Sequence, residues 1–171
     1  RAGSMTLDGG TTSAAFIGSL SSDTATAAAA HVDIEVSGAA VLRFGGQIDA
    51  ATLGPGAAGH VRLKAGTLLA EGSSVRTDVT SISSSSLASN GGRTGDVSVE
   101  ADQITLLGTA NIAASTLSNR VDDRSVTVSA NRITVDGRGL VGGIRSFAFG
   151  DTGNAGTVRV RARDELSLRD G

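Results

Sequence analysis

The amino-acid sequence predicts an all-β protein whose chain winds into a parallel β-helix, a β-solenoid of about five coils of ~30 residues with three short strands each. One alternating motif recurs five times along the chain. About half of the 171 residues are Gly, Ala, Ser or Thr, and the only aromatic residues are four Phe. Because large aromatic side chains fill most globular cores, this composition favours a thin core that is repeated many times.

The repeated motif is a run in which apolar residues alternate with polar ones. Its five copies begin at positions 31, 60, 96, 125 and 157 and read HVDIEV, HVRLKA, DVSVEA, SVTVSA and TVRVRA. A period of two is typical of a strand with one buried face. The offsets between copies are 29, 36, 29 and 32 residues, which indicates one structural unit with loops of variable length.

A second and a third apolar segment follow the motif. The second segments are the pairs Ile104/Leu106, Ile133/Val135 and Leu166/Leu168, and the third are centred on Ile48, Val75, Ile112 and Ile144. Residues 1–30 fit a partial coil, with Met5 and Leu7 in the second strand and Ile17 in the third. We therefore expect one β-helix segment over residues 1–171, excised from a larger protein.

The last position of the motif holds a small residue in most copies. This corner column consists of Val36, Ala65, Ala101, Ala130 and Ala162. We expect these side chains to point inward where the coil bends, because larger side chains would overpack such a corner.

A β-sandwich is the main rival fold, since it also uses short strands at regular spacing. Its neighbouring strands are often joined by tight hairpins, for which Asn-Gly and Asp-Gly are the strongest signals. Few such pairs separate the apolar runs of this chain, and the fivefold repetition favours the solenoid.

Composition also narrows the function classes. Fifteen Lys and Arg against seventeen Asp and Glu give a net charge of −2 without a basic block, so no nucleic-acid partner is expected. The absence of Cys excludes a disulfide framework, a thiolate zinc site and a catalytic thiol. No apolar run approaches the ~18 residues of a membrane-spanning helix, and we expect neither a membrane span nor a cofactor.

The end of the chain carries a family resemblance. Residues 153–171, GNAGTVRVRARDELSLRDG, resemble the repeat of filamentous-haemagglutinin-like exoproteins, and the copies that begin at Asp96 and Ser125 are similar. The resemblance implies a right-handed parallel β-helix, secreted by Gram-negative bacteria, including cyanobacteria, through the two-partner route. It also implies a role in adhesion or as a stalk. The Asn-Pro-Asn-Leu-type signatures of the family's secretion domain are absent, and Pro55 is the one proline.

The cluster Arg120-Val121-Asp122-Asp123-Arg124 stands where other coils have a Gly-containing stretch. Parallel β-helix polysaccharide lyases and glycosidases place carboxylates and Arg on one outer face, where acid–base chemistry acts on sugars. Asp122, Asp123, Arg120 and Arg124 are therefore the candidate catalytic residues of an alternative function. We prefer the interpretation as a charged turn whose charges compensate locally.

Two segments are candidate contact loops. The longest predicted loop covers residues 79–95 and contains Ser83, Ser84, Ser85 and Ser86, which could contact a glycan or a receptor. Insertion at a solenoid corner is the simpler explanation of this loop. Phe147 and Phe149 could stack against sugar rings, although we favour the burial of at least one ring.

His31 and His60 stand at equivalent positions before successive motifs. Two stacked imidazoles could bind a transition metal, but no third ligand recurs in this column. We therefore expect turn histidines and no metal site.

These observations predict a structural and adhesive segment of a secreted or cell-surface bacterial protein, not an enzyme. Its expected partner is a glycan or protein on a host or neighbouring cell. The alternatives are a carbohydrate-active β-helix enzyme and a self-assembling extracellular filament subunit, in which open coil ends associate end to end.

Overall fold

A computed structural model describes residues 1–10, 13–73, 79–118, 124–149 and 154–170. These residues form eleven β-strands and no helix. The strands are β1 (Met5–Asp8), β2 (Ala15–Ser21), β3 (Val32–Arg43), β4 (Gly46–Thr52), β5 (Val61–Glu71), β6 (Ser81–Ser86), β7 (Val97–Leu107), β8 (Asn111–Thr116), β9 (Ser125–Asp136), β10 (Gly143–Ala148) and β11 (Thr157–Arg169).

The strands form two parallel sheets. Sheet A has the order β1-β3-β5-β7-β9-β11, and sheet B has the order β2-β4-β6-β8-β10. Neighbours in each sheet are therefore two strands apart along the chain, so every turn of the chain adds one strand to each sheet. This topology is a β-solenoid of about five stacked coils and confirms the predicted fold class.

Sheet A differs in one respect from the predicted three strands per coil. The first two predicted strands form one continuous strand of 11 to 13 residues in each full coil, from β3 to β11. The pairing register shifts between Val36 and Ala39 in β3, and between Ala162 and Glu165 in β11. The corner column lies at these shifts and packs against the core, as predicted.

The centre of sheet B is a column of five isoleucines in register. Ile17, Ile48, Ile82, Ile112 and Ile144 occupy the same position in successive strands. The prediction that Val75 fills this position in the third coil was wrong, because Ile82 pairs with Ile48 and Ile112. Val75 itself lies outside the described residues. The offset of 36 residues before the third motif copy, at position 96, therefore reflects the length of chain between β5 and β6.

A Gly- and Ala-rich segment leads from sheet B back to sheet A and closes each coil. Its copies also stack: Ala29 N–H donates to Ala57 O, and Ala58 N–H donates to Arg93 O, both at 2.8 Å. A Cβ added to Gly59 would overlap Ala30 O, and one added to Gly95 would overlap Gly59 O. Side chains are therefore excluded where the backbones stack most closely, which explains part of the unusual composition.

The two ends of the stack expose core positions. Ile17 in β2 and three apolar residues of β11 (Val158, Leu166 and Leu168) are exposed, although their equivalents in the central coils are buried. A cavity of about 400 Å³ opens between β10 and β11, lined by Ile144, Val160 and Leu166 among others. None of the described residues forms a helix that is long and apolar enough to cross a membrane.

Candidate functional site

A groove crosses the outside of sheet A at the corner column. It receives three consecutive residues from each of five neighbouring strands: 35–37, 64–66, 100–102, 129–131 and 161–163. Its volume is about 610 Å³. Because parallel strands lie ~4.8 Å apart, four strand steps give this corner groove a length of about 19 Å.

The groove is lined by charges of both signs. Along one wall, Lys64 Nζ lies 3.3 Å from Glu100 Oε1, and both side chains are about half exposed. Asp102 and Asn131 also line the groove, as does Arg161 of β11. Exposed ion pairs contribute little to stability, so these side chains are free to exchange their partners for those of a bound polar chain.

A second polar arrangement runs along the corner where sheet A begins. His31 Nδ1 accepts a hydrogen bond from His60 N–H at 2.9 Å, and His60 Nδ1 accepts one from Asp96 N–H at 2.8 Å. Asp96 Oδ1 in turn accepts from Ser125 N–H at 2.8 Å. Each side chain therefore satisfies a backbone donor of the next coil. No group of three or more potential metal ligands occurs in the described part of the chain.

The four predicted catalytic residues are only partly described. Arg120, Asp122 and Asp123 lie outside the described residues, so the structure does not place them and their role stays a prediction. Arg124 Nη1 lies 3.8 Å from Oδ2 of Asp96, the residue that follows His31 and His60 in the polar arrangement described above. Asp96 belongs to the preceding motif copy, so this contact joins two neighbouring coils.

The prediction of an exposed loop at Ser83, Ser84, Ser85 and Ser86 was wrong. These residues belong to β6 and are buried. Ser84 points inward, where its Oγ donates to Gly59 O at 2.9 Å and accepts from Gly95 N–H at 2.7 Å. Serine is tolerated inside because the returning segment supplies these partners.

Phe147 and Phe149 were also predicted in a contact loop. Phe147 lies in β10, and Phe149 directly follows that strand. Their rings stack with centroids 5.4 Å apart. Phe147 is half-buried beneath Arg145, whose Cζ lies 4.7 Å from the ring centroid, whereas Phe149 is exposed. One ring is thus partly covered, and the other is accessible.

Phe149 is the last member of an apolar column that sequence reasoning missed. Leu53, Leu87, Leu117 and Phe149 each follow the end of a sheet B strand, and each donates its N–H to the carbonyl that ends the preceding strand of the sheet. They form a straight, exposed leucine ridge beside the outer face of sheet B. The sequence signal is the recurrence of Leu after a polar pair, in Ser85-Ser86-Leu87 and Ser115-Thr116-Leu117. The prediction of residues 79–95 as a loop hid this recurrence.

The outer face of sheet B also holds two unusual charges. Burial raises the pKa of Asp49 to about 6, although hydrogen bonds from Ser83 (2.9 Å) and Ser85 (3.5 Å) oppose that rise. Burial lowers the pKa of Arg145 from its usual value. Arg145 donates to Asn111 Oδ1. The sequence alone does not place Asp49 and Arg145 on one face, because their positions depend on the pairing register of sheet B.

The fold and these surfaces define the chain as a β-solenoid with a polar groove on one sheet and an apolar ridge beside the other. Comparisons with protein-family models, curated proteins and solved structures found no match.

Proposed function

We propose that this chain is a structural and adhesive segment of a secreted or cell-surface bacterial protein, a stiff stalk that displays a binding surface along its length. The observation that carries this proposal is the continuous parallel pairing of the stacked coils in both sheets. Bending such a rod stretches backbone hydrogen bonds of both sheets together, so resistance to bending comes from the backbone rather than from loops.

The interior supports a structural role. Its largest fully buried side chains are Leu, Ile and Val, and these stand in columns that run along the axis. Because each coil buries its apolar face only against its neighbours, stability is the sum of similar interfaces and grows with the number of coils. Such a fold can be lengthened without a change of cross-section, which is what a stalk requires.

The corner groove supports an adhesive role, and we propose an extracellular glycan as its partner. The groove is open, about 19 Å long by the strand spacing, and rich in hydrogen-bonding groups. An extended glycan presents a repeated set of hydroxyl groups, and the groove presents donors and acceptors at the regular ~4.8 Å spacing of its strands. Asp102, Ser129 and Asn131 line the groove, and their side chains form no hydrogen bond or ion pair with each other or with Lys64 and Glu100 among the described contacts.

The proposal is tested with the purified chain and a panel of immobilised neutral and acidic bacterial and host glycans. The binding variant is Asp102→Ala with Asn131→Ala. The control is Asp33→Ala with Thr127→Ala, which removes side chains from the same sheet outside the groove. We expect at least one glycan to bind the wild type, with a loss of about tenfold in the groove variant and none in the control.

Two results would overturn the adhesive proposal. One is the absence of binding to every glycan in the panel at high density. The other is binding that the groove variant retains in full, which would place the contact elsewhere. Release of new reducing or unsaturated ends from a bound glycan would instead favour the carbohydrate-active alternative, and Asp123→Asn would then be the variant to compare.

A further inference from the structure

Asp49 and Arg145 lie on the outer face of sheet B in the same column. The register places Asp49 beside Ser83, Ser83 beside Ala113, and Ala113 beside Arg145. Three strand steps separate the two charges by about 14 Å. They are too far apart to pair within one chain, and neither forms an ion pair with any residue that the structure describes.

Both charges are partly desolvated without a countercharge. The raised pKa of Asp49 follows from this burial. The Arg145 Nε is buried and finds no hydrogen-bond acceptor among the described residues. A half-buried carboxylate and a half-buried guanidinium each cost free energy that an opposite charge would offset.

The leucine ridge runs along the same face, four residues further along the strands than the column of Asp49 and Arg145. Its members Leu53, Leu87, Leu117 and Phe149 are 39%, 46%, 41% and 64% exposed. Single exposed apolar residues are ordinary, but a contiguous line of four marks an interaction surface. A column of small residues (Ala51, Ser85 and Ser115) lies between the ridge and the charges, and it is bounded by Leu20 in β2 and Phe147 in β10. A partner can therefore approach closely over β4, β6 and β8.

We propose that this face pairs with the same face of a second copy of the chain, with the two solenoid axes antiparallel. A two-fold axis parallel to the strands, lying between β6 and β8 in the plane of contact, relates the copies. This rotation keeps each position along the strands but reverses the order of the coils. Asp49 of each copy therefore lies opposite Arg145 of the other, and the dimer contains two ion pairs.

The same axis also matches the leucine ridge with itself. Leu53 of one copy meets Phe149 of the other, and Leu87 meets Leu117. The charges and the ridge are independent features of the sequence, and one symmetry operation satisfies both. This coincidence is the main argument for a second copy as the partner.

The expected size of the interface is modest. The axis overlays four strands of each copy (β4, β6, β8 and β10). Four strands ~4.8 Å apart and seven residues of ~3.3 Å give a footprint of about 440 Å² per copy, or ~900 Å² in total. Specific interfaces begin near this size. We therefore expect a weak dimer with a dissociation constant in the micromolar range. Because the contact is two-fold symmetric, it should form no larger assembly.

Analytical ultracentrifugation from about 5 to about 500 µM tests the proposal, because a weak isologous dimer dissociates across this range. Asp49→Arg alone and Arg145→Asp alone each create two like-charge contacts, and we expect the dissociation constant to rise at least ~100-fold in either case. An equimolar mixture of the two variants should restore a heterodimer, since both contacts then pair opposite charges. The double variant should again form a homodimer.

The controls are Asp33→Arg and Arg159→Asp, which make the same charge changes in one exposed column of sheet A. They should leave the dissociation constant unchanged. Leu87→Ser with Leu117→Ser, on the exposed ridge, should abolish the dimer while far-UV circular dichroism stays that of the wild type. A monomeric wild type, or a mixture of charge variants that stays monomeric, would overturn the proposal. So would association that the sheet B variants retain but Leu168→Asp abolishes, because it would then occur through the coil ends.

Discussion

Replacing Ile112 with alanine is the most informative perturbation of the core. Ile112 is 0% exposed and stands in the isoleucine column between Ile82 and Ile144. The substitution removes three buried carbons, worth about 2.4 kcal/mol in transfer free energy at ~0.8 kcal/mol each. Sheet hydrogen bonds on both sides hold the backbone apart, so the cavity cannot collapse, and a further ~1–2 kcal/mol is lost. We expect a total loss of about 3–4 kcal/mol in the free energy of unfolding.

Ile17 is the matched comparison in the same column. It is 36% exposed and has a column neighbour, Ile48, on one side only. Ile17→Ala removes the same atoms but leaves an open notch instead of a closed cavity, so we expect a loss of only about 1–1.5 kcal/mol. The conservative Ile112→Val should cost about 1 kcal/mol.

Equilibrium unfolding in guanidinium chloride, followed by far-UV circular dichroism, measures these differences. The m-values of the three variants must agree with that of the wild type for the comparison to hold. Equal losses for Ile112→Ala and Ile17→Ala, or a loss below about 1 kcal/mol for Ile112→Ala, would refute the continuous column.

Three further predictions concern other positions. Asp49 has its pKa raised from 3.8 to about 6, so its contribution to stability is fully present below about pH 4 and is lost as the pH rises through 6. At micromolar concentration near pH 7.5, the free energy of unfolding of Asp49→Asn should therefore exceed that of the wild type by up to about 3 kcal/mol. Near pH 4 the two free energies should be equal. Ala101→Phe should lower the thermal midpoint sharply or prevent folding, because the corner column has no room for a ring; unchanged melting would contradict the packing. Gly95→Ala should destabilise the fold by a few kcal/mol, because the new Cβ overlaps Gly59 O, whereas Gly3→Ala, with open space around it, should be neutral.

The sequence predicted the part of the fold that alternation encodes. The five motif copies lead into or begin the long strands of sheet A from β3 to β11, and Ile48, Ile112 and Ile144 mark sheet B as expected. The failure at Ser81–Ser86 has a physical reason: an interior position normally needs an apolar side chain, but Ser84 is satisfied by Gly59 and Gly95 of the returning segment. Hydroxyl side chains can thus lie in the interior of the solenoid, although a serine-rich segment is predicted as a loop from its composition.

The surfaces were less accessible to prediction than the strands. Asp49 and Arg145 are unremarkable in the sequence and acquire meaning only when the register places them in one column. The leucine ridge is hidden for the same reason, since its members are separated by loops of unequal length. Side chains from different coils meet through stacking, and stacking depends on which insertions the corners absorb.

The stacking of the coils can be measured directly as a distance between two spin labels on the outside of sheet A. The chain contains no Cys, so Asp33→Cys with Arg159→Cys gives two unique labelling sites. These positions lie in one column of sheet A on β3 and β11, four strand steps apart. Pulsed electron paramagnetic resonance should give one narrow distribution centred at about 20–25 Å, which is four spacings of ~4.8 Å plus the reach of the labels. A broad distribution, or a centre beyond about 35 Å, would contradict the stacked solenoid and with it the proposed stalk.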